Sequence, residues 1–173
     1  MPEQDTSRRT RVAILTVSTL GSQGKREDTS GAAIRELVQT LNVEIVDYRI
    51  LPDDRERIAA HLRYLTDELH ADLVLTTGGT GLSPTDWTPE ATLDVVERRV
   101  PGFEEIMRVE GFKKTPYAVL SRGVCGIRKN TLIVNLPGNP KGVRESLELL
   151  LPVLPHGLKV LRGDPAGSAE HRG

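Results

Sequence analysis

A short apolar segment that ends in three closely spaced glycines is the feature that most constrains this fold. Residues 73–81 read LVLTTGGTG. The apolar part lacks polar alternation and stops at turn residues, which is typical of a strand buried on both faces. Glycines allow a sharp turn and let a ligand approach the backbone amides. A helix start follows at Thr88-Pro89-Glu90, with Thr88 expected as the N-cap. The segment predicts a site for anionic groups at the carboxyl edge of a sheet. A tight strand-to-helix connection without a ligand is the alternative.

Strand-like and helix-like segments alternate along the rest of the chain. Strands are expected at 12–17, 43–50, 124–127 and 131–136 as well as from residue 73. Helices are indicated by apolar residues at helical spacing: Ile34, Leu37, Val38 and Leu41; Ile58, Leu62, Leu65 and Leu69; Leu93, Val96 and Val100; Phe103, Ile106 and Met107; and Val143, Leu147 and Leu150. This order predicts a doubly wound α/β domain, with three α/β/α layers and a mostly parallel central sheet that carries an antiparallel edge. We expect one domain over residues 11–162, a flexible N-terminus at 1–10 and a flexible C-terminal tail at 163–173.

Charge and composition exclude several classes of partner. The net charge is −1 and the pI is about 6.4, which argues against nucleic acid and acidic membrane surfaces as partners. No apolar stretch is long enough to span a bilayer. The single Cys125 excludes an intrachain disulfide, and the four histidines lack ligand spacing, so we expect them on the surface or in caps. A cytoplasmic protein is expected.

Three aspartates follow strand ends or lie in strand-to-helix loops: Asp28, Asp53 and Asp86. Carboxylates beside a glycine loop suit a nucleoside triphosphate with Mg²⁺, because this cation prefers oxygen ligands and shares substrate phosphates. Each residue also has a structural interpretation. Asp53 matches the N-cap of a helix, Asp86 an Asx turn, and Asp28 the N-terminus of the next helix. Asn135 ends an apolar strand, so its amide must satisfy its hydrogen bonds or point into a site.

Five motifs in this order resemble one known family, the MogA/MoaB-type molybdopterin adenylyltransferases, which are related to the gephyrin G domain. The motifs are TGGTG at 77–81, D-x-TPEA at 86–91, PGF at 101–103, LSR at 120–122 and NLPGNPK at 135–141. The resemblance covers residues 11–162. It implies the molybdenum cofactor biosynthesis protein-like fold and Mg²⁺-dependent transfer of AMP from ATP to molybdopterin, with release of pyrophosphate. It also implies a homo-oligomer, either a trimer or a hexamer of trimers, and a partner in the molybdate-inserting enzyme of the pathway.

The resemblance also implies roles for individual residues. Asp53 and Asp86 match the family's two essential aspartates, and either is a candidate Mg²⁺ ligand. Molybdopterin and the ATP phosphates would be bound by the loop residues Thr77, Gly78, Gly79, Thr80 and Gly81, together with Ser18, Ser121, Asn135, Pro137, Gly138 and Lys141. From the residues alone, Lys141 is also explained as a solvated lysine at a helix start, and Ser121-Arg122 as an ordinary surface turn.

Three positions depart from the family pattern: Thr19, where Asp or a small polar residue is usual, and Thr85 and Trp87, where Arg and Val are commoner. Losing a guanidinium beside the nucleotide would weaken charge neutralisation. A non-catalytic molybdopterin-binding or trimeric scaffold paralogue is therefore an alternative to the active enzyme. A nucleotide-handling relative, such as the domain of competence-damage proteins, is a third, which the LSR and NLPG matches disfavour.

Overall fold

A six-stranded sheet forms the centre of the computed structural model, which describes residues 8–165. The order across the sheet is β2-β1-β3-β6-β5-β4. The strands are β1 (Thr10–Val17), β2 (Val43–Leu51), β3 (Leu73–Thr77), β4 (Arg98–Arg99), β5 (Cys125–Arg128) and β6 (Thr131–Leu136). The first four in spatial order are parallel, whereas β5 runs antiparallel to β6 and β4 antiparallel to β5. The predicted mostly parallel sheet with an antiparallel edge is confirmed. Of the expected flexible termini at 1–10 and 163–173, residues 1–7 and 166–173 lie outside the described residues, and Thr10 already begins β1.

Helices cover both faces of this sheet. They are α1 (Thr19–Ser22), α2 (Thr29–Val38), α3 (Arg55–Arg63), α4 (Thr88–Leu93), α5 (Pro101–Phe112), α6 (Pro140–Leu150) and α7 (Leu154–Leu161), with a π-helical turn at Tyr64–Glu68 and a 3-10 turn at Pro116–Leu120. Side chains of β1 alternate between two cores, so that Val12 and Ile14 pack with α2, α6 and α7, while Ala13 and Leu15 pack with α3 and α4. This is the predicted three-layer α/β/α arrangement. Among residues 8–165, no helix has the length and apolar content needed to cross a bilayer.

The segment between β3 and β5 differs most from expectation. The predicted helix ends early, at Leu93, whose side chain is 46% exposed, and Val95 is buried in its place. The chain then forms β4, because the N–H groups of Glu97 and Val100 donate to carbonyls of the neighbouring β5. Pro101 begins α5 at a first-turn position that needs no N–H donor. A two-residue strand of arginines has no apolar pattern from which sequence could have predicted it.

Two smaller expectations are also wrong. Helix α1 and its turn occupy part of the expected 18–30 loop. His61 is buried rather than on the surface, and its Nε2 lies 3.0 Å from Asp47 Oδ2. Burial lowers the pKa of His61, although the Asp47 carboxylate opposes that shift. The rest of the α3 stripe is as expected, with Ile58, Leu62 and Leu65 fully buried.

Candidate functional site

The glycine loop after β3 is packed so closely that two of its positions require glycine. Gly78 and Gly79 have positive φ values of 93° and 68°, a region that side chains disfavour. A Cβ at Gly78 would lie 2.3 Å from the Val17 carbonyl oxygen, and one at Gly79 would lie 2.3 Å from Thr88 Oγ1. The loop backbone thus packs directly against the end of β1 and the start of α4.

Thr88 closes this loop from the helix side. It was expected to be the N-cap of α4, but it is the first helical residue, and Trp87 occupies the N-cap position without a side-chain bond. The Thr88 hydroxyl instead donates to the Gly78 carbonyl at 2.9 Å, and the Thr88 N–H donates to the Gly79 carbonyl at 3.1 Å. The hydroxyl therefore stabilises the loop rather than the helix end.

A second glycine loop, residues 137–139, lies against the first. The Thr77 hydroxyl donates to the Pro137 carbonyl at 2.6 Å, and the Ser30 hydroxyl donates to the Gly138 carbonyl at 2.7 Å. A Cβ on Gly138 would stand 3.4 Å from Gly78 Cα, so the two backbones are near contact. Asn139 then caps α6 by accepting from the Gly142 N–H. The predicted phosphate-type loops meet at one edge of the sheet.

An acidic cleft of about 510 Å³ opens beside these loops. The sequence-predicted residues that line it are Ser18, Asp53, Thr77, Gly78, Asp86 and Gly138. Asp28 lines it too, but it also caps α2: Oδ1 accepts from the Gly31 N–H, and Oδ2 accepts from the hydroxyls of Thr16 and Tyr48. Burial and the bond to Asp28 raise the pKa of Tyr48 to about 12. The helix-terminal interpretation of Asp28 is confirmed.

The sequence position of Asp53 suggests the N-cap of α3, but the structure gives it a different role. The cap is the next residue, Asp54, whose carboxylate accepts from the Arg57 N–H at 3.0 Å. The Asp53 carboxylate turns to α1, where it accepts from the Thr19 hydroxyl at 2.8 Å and from the Thr19 N–H at 3.3 Å. Because Asp54 caps α3, the Asp53 carboxylate is not needed as the cap, and Asp53 lines the cleft.

Asp86 does not form the expected Asx turn, because its carboxylate bonds to a residue that precedes it in the chain. Its Oδ2 accepts from the Ser83 N–H at 3.2 Å, and its own N–H donates to the Ser83 carbonyl at 3.0 Å. Asp53 and Asp86 come from different loops and line the same cleft. Within residues 8–165, no group of three or more His, Cys, Asp or Glu side chains forms a complete metal site. Any cation held here would depend on substrate oxygens and water for its remaining ligands.

A second cavity of about 390 Å³ lies on the other side of the 137–139 loop and shares Asn139 with the cleft. Ser121, Asn135 and Pro137 line it, as do Arg108 and Tyr117. The predicted site residues thus divide between two adjoining cavities.

Asn135 resolves the choice that its sequence position left open. The residue is 2% exposed. Its Oδ1 accepts from the Val124 N–H, and its Nδ2 donates to the hydroxyls of Thr76 and Thr92, each at 3.0 Å. The amide satisfies its hydrogen bonds inside the fold while the residue borders the second cavity.

Some predicted residues lie outside both cavity linings. Gly79, Thr80 and Gly81 shape the first loop, and Thr80 is buried. Lys141 is an exposed side chain on α6, with Nζ 4.0 Å from Glu145 Oε1. The solvated-lysine interpretation fits this geometry.

Arg122 belongs to the site although its sequence position does not predict it. The sequence predicts a role only for Ser121 of the LSR motif. The Arg122 guanidinium donates to the Gly81 and Asp86 carbonyls at 2.8 and 2.9 Å and to the Glu90 carboxylate at 2.5 Å. These partners lie 32 to 41 residues away in the chain, so no local pattern revealed them.

Comparisons with known proteins point to one family. The family described as "Probable molybdopterin binding domain" matches residues 13–156. A Helicobacter pylori protein named molybdopterin adenylyltransferase is 43% identical over 155 residues, which is 88% of this chain and 88% of that protein. Gephyrin from Dictyostelium discoideum is 39% identical over 168 residues, or 91% of this chain and 23% of that protein. The crystal structure of the molybdopterin biosynthesis enzyme MoaB from Thermus thermophilus superposes with a TM-score of 0.85 and 53% identity, covering 90% of this chain and 98% of that one.

Proposed function

The chain belongs to the family of molybdopterin binding domains, and from that premise we propose that it is a molybdopterin adenylyltransferase of molybdenum cofactor biosynthesis. It transfers AMP from ATP to molybdopterin and releases pyrophosphate. The observation that carries this proposal is the meeting of Asp53 and Asp86 in one cleft beside the Gly78 backbone. An anion-binding backbone next to two carboxylates is the arrangement that a metal-bound triphosphate requires.

We assign one of the two cavities to each substrate. The acidic cleft takes the nucleotide, and the cavity lined by Ser121 and Asn135 takes the pterin, so that its terminal phosphate reaches the loops between them. An oxygen of that phosphate attacks the α-phosphorus of ATP. The bond from the α-phosphorus to the bridging oxygen then breaks, and its electron pair leaves with pyrophosphate. The residues contribute mainly by positioning the two phosphates and neutralising charge, since phosphoryl-type transfer needs no side-chain nucleophile.

Asp53 and Asp86 would hold Mg²⁺. Two carboxylates fit this cation, because Mg²⁺ usually takes one or two protein carboxylates and completes its coordination with phosphates and water. When bound, the metal neutralises the charge that develops on the triphosphate. The Gly78 backbone, which lines the cleft together with both carboxylates, would supply an amide donor to the remaining phosphate oxygens.

The departures at positions 19 and 85 are compatible with activity. The Thr19 hydroxyl donates to the Asp53 carboxylate, and this bond orients the carboxylate. The Thr85 hydroxyl lies 3.0 Å from Ser83 Oγ and thus belongs to the turn that ends at Asp86. A guanidinium is also present beside this turn, because Arg122 bonds to the Asp86 carbonyl.

We further infer a homo-oligomer, a trimer or a hexamer of trimers, that acts in the cytoplasm. One contiguous part of the chain exposes large apolar side chains on α5 and the following 3-10 turn: Ile106, Val109, Phe112, Tyr117, Val119 and Leu120. An apolar face of this kind is a common mark of a protein–protein interface. Tyr117 also lines the second cavity, which places that face next to the proposed pterin site.

The proposal is tested with purified protein, ATP, Mg²⁺ and molybdopterin, by measuring pyrophosphate and adenylylated molybdopterin together. Equal amounts of both products, absent when molybdopterin or Mg²⁺ is omitted, are the expected result. Molybdopterin binding without either product would identify a non-catalytic binding paralogue instead.

A further inference from the structure

The segment that carries Asp86 has few contacts of its own. Residues 82–85 are exposed, and the Leu82 side chain is 65% exposed, so apolar packing does not anchor this segment. The turn from Ser83 to Asp86 holds its own shape through local hydrogen bonds. A local turn fixes the internal geometry of the segment but not its position against the cleft.

Thr88 ties the end of this segment to the Gly78 and Gly79 carbonyls, and Arg122 adds a connection to the segment itself. Its Nε donates to the Gly81 carbonyl at 2.8 Å, and its Nη2 donates to the Asp86 carbonyl at 2.9 Å. The two ends of the 81–86 segment are therefore joined through one rigid guanidinium plane. The backbone N–H of Arg122 donates to the Thr80 carbonyl at 2.8 Å, which ties the arginine itself to the glycine loop.

The remaining guanidinium nitrogen fixes the arginine to α4. Nη1 lies 2.5 Å from Glu90 Oε1 and 3.1 Å from Oε2, and Glu90 stands in the first turn of that helix. Three groups of acceptors in fixed directions match the donor fork of a guanidinium. A lysine ammonium could not reach all of them from one position.

We propose that Arg122 is a positioning residue for adenylyl transfer, which holds the Asp86 segment against the glycine loop. This inference rests on the proposed function. The preceding residue, Ser121, lines the second cavity, so the same short stretch of chain touches the proposed pterin site and fixes the acidic residue of the nucleotide site.

The experiment compares Arg122→Ala and Arg122→Lys with wild type for the kcat of transfer, the Mg²⁺ concentration at half-saturation and the molybdopterin Kd. We expect Arg122→Ala to lower kcat by about 10–100-fold, as loss of an orienting partner of a metal ligand does, and to raise the Mg²⁺ requirement. Arg122→Lys should be intermediate. The molybdopterin Kd should change little, because the second cavity keeps its lining.

Trp87 gives a readout that does not depend on turnover. It is the only tryptophan in the chain and directly follows Asp86. Release of the segment in Arg122→Ala should increase quenching of its fluorescence by acrylamide and shift its emission to the red. A matched control is Arg144→Ala, which removes an exposed arginine–glutamate pair of 2.8 Å between α6 and α2, away from this segment.

Each result decides a different point. Wild-type kcat, Mg²⁺ dependence and Trp87 quenching in Arg122→Ala would overturn the positioning role. A lowered melting temperature without these changes would also overturn it, since it would show a merely structural contact. Absence of product from the wild type would instead refute the proposed function, and Trp87 quenching would then decide alone whether Arg122 fixes the segment.

Discussion

Replacing Asn135 by alanine should destabilise the fold by more than the loss of one hydrogen bond. The side chain is buried and makes three hydrogen bonds, to the Val124 N–H and to the hydroxyls of Thr76 and Thr92. Alanine would leave the Val124 N–H buried without an acceptor, which costs about 1–3 kcal/mol. The Thr92 hydroxyl still donates to the Thr88 carbonyl, so the loss there is smaller. We expect the free energy of unfolding to fall by about 2–3 kcal/mol in total.

The measurement is urea denaturation followed by circular dichroism at fixed protein concentration. In a thermal unfolding experiment on a chain of this length, the expected loss corresponds to a fall in Tm of roughly 4–12 °C. Ser121→Ala is the matched control, because Ser121 borders the same cavity but its hydroxyl accepts only one hydrogen bond from the Gly123 N–H within the described fold. Its free energy of unfolding should change by less than about 1 kcal/mol.

The two variants separate fold from binding. Asn135→Ala should lose stability first, whereas Ser121→Ala should lose molybdopterin affinity at nearly wild-type stability. A wild-type denaturation midpoint for Asn135→Ala together with lost molybdopterin affinity would refute this reasoning. The amide would then have to act on the ligand rather than on the sheet.

Three further substitutions or treatments test other parts of the structure. Gly78→Ala should cost about 3 kcal/mol of stability by urea denaturation, because its φ is 93° and its Cβ would meet a carbonyl oxygen at 2.3 Å; Gly138→Ala, whose Cβ would meet its nearest neighbour at 3.4 Å, should stay near wild type. Thr19→Val should lower kcat about 10-fold by removing the hydroxyl donor to Asp53, while Thr19→Ser should keep both the donor and the rate. Equal kcat values for Thr19→Val and Thr19→Ser would show that this contact does not contribute to catalysis. Cys125 should resist alkylation in the native protein even at pH 9, because burial raises its pKa to about 12 and keeps the thiol protonated; rapid native labelling would contradict this.

Much of the fold could be predicted from sequence because apolar periodicity encodes burial. The strand at Leu73 and the stripe through Ile58, Leu62 and Leu65 lie where that periodicity put them. Strand β4 could not be found in this way, since Arg98 and Arg99 become a strand only by pairing with β5. This strand is specified by a tertiary contact and not by the local sequence.

The site was predicted less completely, for a related reason. Both Asp53 and Asp54 have the side chain of an N-cap, and the sequence offers no means of choosing which one bonds to the helix. The choice depends on the backbone direction at the end of β2, where Asp54 is extended and directly precedes α3. The role of Arg122 cannot be predicted from sequence, because its partners are distant in the chain and two of them are backbone carbonyls, which any residue supplies.

The most direct test replaces a carboxylate by an amide at each of two adjacent positions, in Asp53→Asn and Asp54→Asn. Asparagine caps a helix about as well as aspartate, so Asp54→Asn should keep both wild-type stability and wild-type adenylyl transfer. Asp53→Asn should keep stability but lower transfer by about 100-fold or more, and Asp86→Asn should do the same while still binding molybdopterin. Loss of stability in Asp53→Asn with full activity in its folded fraction would contradict the assignment of these carboxylates to the reaction.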